Sequence, residues 1–305
     1  MPTTHASMET DLRLATALDG TIRLLNADRA SMRTVPGAVL YTGSVNGTGS
    51  DTGRVPFAGL DGFDSFSATA AEDTDITETS LTDASADIAV VRHGIRRDLG
   101  DLAALTGPDG NIDVMRLGMS MLGEYEMGWM ESLADAIDGF SAISGAGSQD
   151  FSVDDFYVSI FTLELADVMG PYYSMLHPRQ TADLQGSIRS ETGPSEHRTD
   201  FQQMLNAQGQ GLVGMLAGVV IFKSSKVNTS GGNRLGGMWG AGALGWKNGT
   251  PRNVPGAIFI RPNAEVTVEL QRDASKALTE IVGHAYYGIN VLQDVKGTTV
   301  RSSAT

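Results

Sequence analysis

Apolar positions recur most regularly between residues 112 and 143. Met115, Met119, Leu122, Glu126, Trp129, Leu133, Ala136 and Phe140 step by three or four, and all but Glu126 are apolar. At 100° per residue they share one arc of a helical wheel, so the spacing predicts one amphipathic helix from Asp113 to Phe140. It would be about 42 Å long at roughly 1.5 Å per residue. Pro108-Asp109-Gly110 reads as a turn before it, Asn111 or Asp113 as its cap, and Ser144-Gly145-Ala146-Gly147 as its end. Gly118, Gly123 and Gly128 each cost about 1 kcal/mol against Ala, and Asp135 and Asp138 oppose the helix dipole. Such a helix is held by its surroundings. Leu117, Met121 and Met127 lie off the arc and predict contact on a second side.

The chain before this helix has a different pattern. Residues 1–40 hold a short repeat, Leu14, Leu18, Ile22 and Leu25, broken by Gly20 and then by Val35-Pro36-Gly37. An extended arm with at most one weak helix is expected. From Thr42 to Asp87, β-leaning pieces at Arg54–Ala58, Phe66–Ala70 and Thr74–Thr79 alternate with Gly-Asp turns. The reading is a ribbon lying against something else, since an isolated two-stranded ribbon is marginal in water. A partly disordered acidic loop is the alternative. Ile88–Val91 has strand character, and Ile95–Leu105 reads as a short helix with Arg96 and Arg97 exposed.

After the long helix, Ser152 caps a second one with an acidic first turn, burying Phe156, Ile160, Leu163 and Val168 and stopped by Pro171. Tyr172–Leu176 reads as a strand, His177-Pro178 as a turn and Gln180–Ile188 as a third helix. Val219–Phe222 is a strong strand candidate, and a Gly/Ser/Asn loop surrounds Gly231 before the apolar run Leu235–Trp246. Strands are expected at Ala257–Ile260, Val266–Leu270 and Ile289–Leu292, with a helix-like stretch at Ala274–Val282. Strands and helices mix without a βαβ rhythm, so the fold class is α+β.

Composition narrows the chemistry. A chain of 305 residues suits two or three packed units. Zero cysteines exclude disulfides and thiolate chemistry. There is no apolar run of about 18 residues and no charged-then-apolar leader, so neither a membrane span nor a signal peptide is expected. No phosphate loop, paired-histidine zinc helix or nucleophile elbow occurs, and His5, His93, His177, His197 and His284 stand far apart. Asp109, Asn111 and Asp113 begin like a calcium loop whose remainder is missing, so a turn and cap is the better reading. No cofactor or metal is expected.

Charge is divided unevenly. The net charge is -14, but residues 201–305 hold 10 Lys/Arg against 5 Asp/Glu, leaving 12 against 31 for residues 1–200. So acidic a portion does not grip nucleic acid non-specifically. Residues 42–87 carry nine acidic residues and one basic residue, Arg54. Lys223, Lys226, Arg234, Lys247, Arg252 and Arg261 lie within a short later stretch. The positive third is expected to meet the acidic part, within one subunit or between subunits, with Asp73, Asp75, Glu78, Arg54 and these cations as the contact candidates.

The order of these features resembles the major capsid protein of tailed bacteriophages, a fold shared with encapsulin shells and the herpesvirus capsid floor. The residues that carry it are Val55-Pro56-Phe57 with the Thr/Asp/Glu-rich ribbon after it, and Met175-Leu176-His177-Pro178 leading to Asp183-Leu184. Gly218-Val219-Val220-Ile221, Ala241–Gly245 and Tyr287-Gly288-Ile289-Asn290-Val291-Leu292 complete the series. The resemblance implies an N-terminal arm (1–41), an extended β-ribbon loop with its return strand (42–97), and a peripheral domain with the spine helix (98–150). An axial domain (151–260) and the peripheral domain's C-terminal strands (261–305) follow. It implies a non-enzymatic protein that self-assembles through pentamers and hexamers into an icosahedral head shell around DNA. It would assemble in the bacterial host cytoplasm, with separate scaffold and portal proteins, decoration proteins in some cases, and no membrane. Some relatives cross-link covalently through a lysine in the extended loop, but no lysine occurs here before Lys223. An encapsulin-type compartment and, in a different class, an acidic carbohydrate-active hydrolase with paired carboxylates are the alternatives.

Overall fold

The computed structural model describes residues 35–58, 83–101, 110–190, 212–250, 257–259 and 266–304. Three helices are found there: α1 (Gly110–Asp138), α2 (Val153–Leu165) and α3 (Pro178–Ser190). The strands of the first half are β1 (Leu40–Ser44), β2 (Thr52–Ala58), β3 (Asp83–Ala89), β4 (Val91–Gly100), β5 (Ile143–Ser144) and β6 (Tyr172–Leu176). Those of the second half are β7 (Leu212–Leu216), β8 (Val219–Lys223), β9 (Asn228–Ser230), β10 (Asn233–Gly240), β11 (Leu244–Gly249), β12 (Ala257–Phe259), β13 (Val266–Asp273), β14 (Leu278–Val291) and β15 (Gly297–Ser303). The class is α+β.

Two sheets and a ribbon share these strands. The first sheet runs β1-β11-β14-β13-β12, with β4 on the other edge of β14. Strand β14 is its axis: β4 pairs with it from Leu278 to Tyr287, while β13 and then β11 take the opposite edge. The second sheet runs β5-β15-β10-β6-β8-β7, with β9 added beside β10. β6 and β8 are parallel, joined across α3. Strands β2 and β3 pair only with each other, over seven residue pairs.

Helix α1 holds both sheets. Trp129 and Leu133 are fully buried, as the three-four spacing predicts, and so are Ala134 and Ile137, which lie outside the predicted arc. They meet Trp246, Ala285 and Tyr287 from the first sheet and Tyr173, Met175 and Trp239 from the second. The approach to β10 is close enough to demand glycine: a Cβ on Gly237 would stand 2.0 Å from Cγ2 of Ile137. The segment before β1 closes this core, with Ala38 fully buried, Trp239 Nε1 donating to its carbonyl at 2.7 Å and the Tyr173 hydroxyl donating to the Pro36 carbonyl at 2.6 Å.

The second side of α1 is partly as expected. Met121 is buried, and a Cβ on Gly283 of β14 would stand 2.7 Å from its methyl. Met127 is half exposed. The helix stops at Asp138, two residues early, and Phe140 turns back into the core beyond it.

A second core lies across the other face of the second sheet. Phe156, Ile160 and Leu163 of α2 and Leu184 and Ile188 of α3 pack on Ile221, Met238 and Val300. Ser152 caps α2 as its sequence predicts, in a capping box closed by Asp155.

Two stretches expected to be helical are strand or turn over residues 95–100 and 274–282. Ile95–Gly100 belongs to β4, where Ile95, Arg97 and Leu99 alternate on one face, and Leu102–Leu105 lie outside the described residues. Ala274–Ala277 form a turn, and Leu278–Val282 begin β14. Asp273 Oδ1 accepts the Ser275 amide at 3.0 Å and the Lys276 amide at 3.3 Å, an Asx turn that closes a hairpin in place of a helix.

Candidate functional site

Among the described residues the β2–β3 ribbon pairs with no further strand, and its root is fixed to the body. At the root, Ile88 is fully buried and Asn290 Nδ2 donates to the Asp87 carbonyl at 2.8 Å. Ala89 crosses β14 at Gly288, where a Cβ would stand 1.9 Å from its carbonyl oxygen. Val90 N–H donates to the Asp51 carbonyl at 2.8 Å. Farther out, Arg54 and Asp87 face each other across the strands at 3.3 Å, with 72% and 53% of their side chains exposed. An exposed pair of this kind contributes only about 0.2–1 kcal/mol. The backbone and the buried root hold the ribbon's base.

The later cations divide into three groups. Lys223 is exposed at the end of β8. Lys226 pairs with Glu131 of α1 at 3.2 Å, and the half-buried Arg234 donates to Thr229 of β9. Lys247 departs from the expectation of a surface contact. It is buried, its stem runs beneath Gly53 of the ribbon, and its ammonium donates to the Thr42 carbonyl at 3.1 Å. Burying a lysine costs free energy unless its charge is bonded, and here it ties β1 and the ribbon root to β11. Arg252, Arg261, Asp73, Asp75 and Glu78 lie outside the described residues.

A line of ion pairs along the first sheet was missed because Ile95–Leu105 reads as a helix. Arg96 joins Asp98 at 2.9 Å and Glu280 at 2.6 Å, Arg97 pairs with Glu124 of α1, and Arg272 of β13 grips Asp101. Hydrogen bonding to Arg272 holds the Asp101 carboxyl below its ordinary range. The alternation of residues 91–100 was the signal available in the sequence.

Titratable groups elsewhere sit in structural settings. His93 stacks on Tyr287 with centroids 4.1 Å apart, and Tyr125 meets the same ring edge-on. Burial lowers the pKa values of His93, His177 and His284. Burial raises that of Asp183, against the pull of Arg179 at 3.0 Å. Among the described residues, no three His, Asp or Glu side chains are grouped to hold a metal, and no helix is long and apolar enough to cross a membrane.

The fold as a whole has counterparts among solved structures. The capsid of Ralstonia phage GP4 matches with a TM-score of 0.58 at 13% identity, covering 84% of each chain. The capsid of cyanophage P-SCSP1u matches at 0.56 and 15% identity, covering 88% of each. The chain has the tailed-phage capsid fold. The same fold serves the SrpI encapsulin of Synechococcus elongatus, which matches at 0.59 and 14% identity over 90% of this chain and 91% of that one. No protein-family model matches the sequence, and no curated protein does.

Proposed function

We propose that the chain is a major capsid protein, a non-enzymatic subunit whose copies assemble through pentamers and hexamers into the icosahedral head shell of a tailed bacteriophage. The supporting observation is a fold match that spans nearly the full length of both chains, with shell proteins on the other side of it. In this reading residues 98–150 with α1 and 261–305 are the peripheral domain and residues 151–260 with α2 and α3 the axial domain, although β11 and β12 pair in the first sheet and β5 and β15 in the second. The virion encloses DNA without sequence-specific contacts, and scaffold and portal are separate proteins met in the host cytoplasm. Decoration proteins would bind the finished surface. The test is electron microscopy of the purified protein: closed shells or rings support the reading, and a monomer at every concentration and salt overturns it.

An encapsulin-type compartment is the second reading, favoured by the match to SrpI. Shells isolated from the native source separate the two, since a phage head carries DNA and a compartment carries a protein cargo. A carbohydrate-active hydrolase finds no support in these comparisons.

Within the shell reading, the acidic ribbon lies on an adjacent copy. Its carboxylates Asp73, Asp75 and Glu78 would approach Arg234, Arg252 and Arg261, with Lys223 as a further candidate. Lys226 and Lys247 are engaged within their own chain.

A further inference from the structure

Helix α2 is apolar on two sides. Phe156, Ile160 and Leu163 face the second sheet. Val158, Phe161 and Leu165 step by three and four along the other side, and Met169 continues their line beyond the helix. Their exposures are 51%, 56%, 70% and 88%. A helix apolar all round is normally buried on every side, and a contiguous apolar patch on a surface marks an interaction site.

Charge and position say what covers it. Between Phe151 and Pro178 the chain has four carboxylates, Asp154, Asp155, Glu164 and Asp167, and no lysine or arginine. The stripe is therefore bordered by negative charge. Helix α2 packs on β5, β15 and β10, at one edge of the second sheet. The opposite edge is formed by β8 and β7, where Met215 is 37% exposed and Lys223 is exposed. One edge thus offers an apolar stripe with carboxylates, and the other offers the part-exposed Met215 with a cation. Unlike, complementary surfaces at opposite edges of a unit join copies head to tail, the arrangement that closes into rings.

We propose that the α2 stripe seats on the β7–β8 edge of the next copy, with Glu164 and Asp167 near Lys223 of that copy. This rests on the shell reading and names the surfaces by which second-sheet domains would meet around a ring. It also removes Lys223 from the ribbon's set of candidates.

The test uses the full chain and begins with Phe161→Ser/Leu165→Ser. Both positions are exposed, so the variant should match the wild type in circular dichroism and melting temperature. Its concentration for half-maximal assembly should rise at least tenfold. A second measurement exploits the absence of cysteine: Leu165→Cys and Met215→Cys variants are mixed, assembled and treated with a short bis-maleimide linker. Dimers of the two variants in SDS support the proposal. Assembly of the serine variant at the wild-type concentration, or assembled particles without such dimers, overturns the proposal and leaves the shell reading standing. A wild-type chain that never assembles overturns both.

Discussion

Replacing Trp129 tests how α1 holds the two sheets. The indole is fully buried, and its ring meets Trp246 edge-on at 6.3 Å with an interplanar angle of 87°. Truncating a large buried aromatic removes its transfer free energy and leaves a cavity, together about 3–5 kcal/mol. That figure includes the ring-ring contact, which contributes about 0.5–1.5 kcal/mol. The indole N–H has no acceptor among the described residues, and burying such a donor costs about 1–3 kcal/mol. Trp129→Phe therefore keeps most of the packing and removes an unsatisfied group, and its net cost should stay below about 1.5 kcal/mol.

The assay is urea unfolding of unassembled subunits followed by far-UV circular dichroism, which does not depend on the indole that is removed. With a slope near 3 kcal/mol/M, the upper end for small proteins in urea, Trp129→Ala should lower the midpoint by about 1–2 M. Trp129→Phe should lower it by less than about 0.5 M. An alanine variant within about 0.5 kcal/mol of wild type would mean that the helix face is wrongly assigned. A phenylalanine variant as unstable as the alanine one would mean that the N–H is satisfied and the buried-donor argument fails.

Four other outcomes are expected. The triple variant Asp73→Asn/Asp75→Asn/Glu78→Gln should assemble less well at low salt and lose most of the wild type's salt sensitivity, read as assembly yield against ionic strength; equal yields would leave the ribbon anchored by its backbone. Because burial lowers the pKa values of His93, His177 and His284, their contribution is present above the unfolded value of 6.5 and lost as pH falls through the lower folded values. His93→Phe, which keeps a ring on Tyr287, should reduce the fall in urea midpoint between pH 7.5 and 5.5, and an unchanged fall would count against it. Ala277→Gly should stabilise the subunit by about 1 kcal/mol in the same urea assay, since Ala277 sits at φ 48 in the turn before β14, where a Cβ is strained. Particles boiled in SDS should give one band near 32.2 kDa, and a covalent ladder would refute the lysine argument.

The features legible in the sequence are those whose local pattern agrees with their burial. Trp129, Leu133 and Ala136 follow one helical arc and are buried on it, and Ser152 and Asp155 form the box that their spacing suggests. Over Ile95–Gly100 the helix reading fails for a physical reason. These residues carry both a three-four and a two-residue spacing, and ten paired residues of β14 decide for the strand. Ala274–Val282 holds good helix formers, yet the Asp273 side chain takes the first amides and tertiary pairing takes the rest. The candidate cations were chosen by nearness in sequence, which carries no information about burial. Lys247 lies in a strand whose every residue is buried, while Lys223 ends a strand and is exposed. The apolar positions of α2 were assigned to one side because a single-chain reading supplies only one core for them.

The glycines carry the next step. Gly237 and Gly288 lie in the middle of strands, at points where another element crosses closely. Gly237 lets α1 settle on the backbone of β10, and Gly288 lets the ribbon root settle on β14. Glycine in a strand interior costs stability through lost packing and entropy, and here close approach between layers offsets that cost. The two crossings differ in consequence. At Gly237 the helix gains a buried Ile137 and a core shared within one chain. At Gly288 the ribbon gains a fixed direction of departure, while Arg54 and Asp87 just beyond remain in water. A two-stranded ribbon is marginal there, so its outer part contributes favourably only against a surface from outside the chain. On the proposed function, folding of the body and docking of the ribbon on another copy would be separate thermodynamic steps, the second dependent on subunit concentration and the first not. That separation suits a shell subunit, which must persist folded before its neighbours arrive.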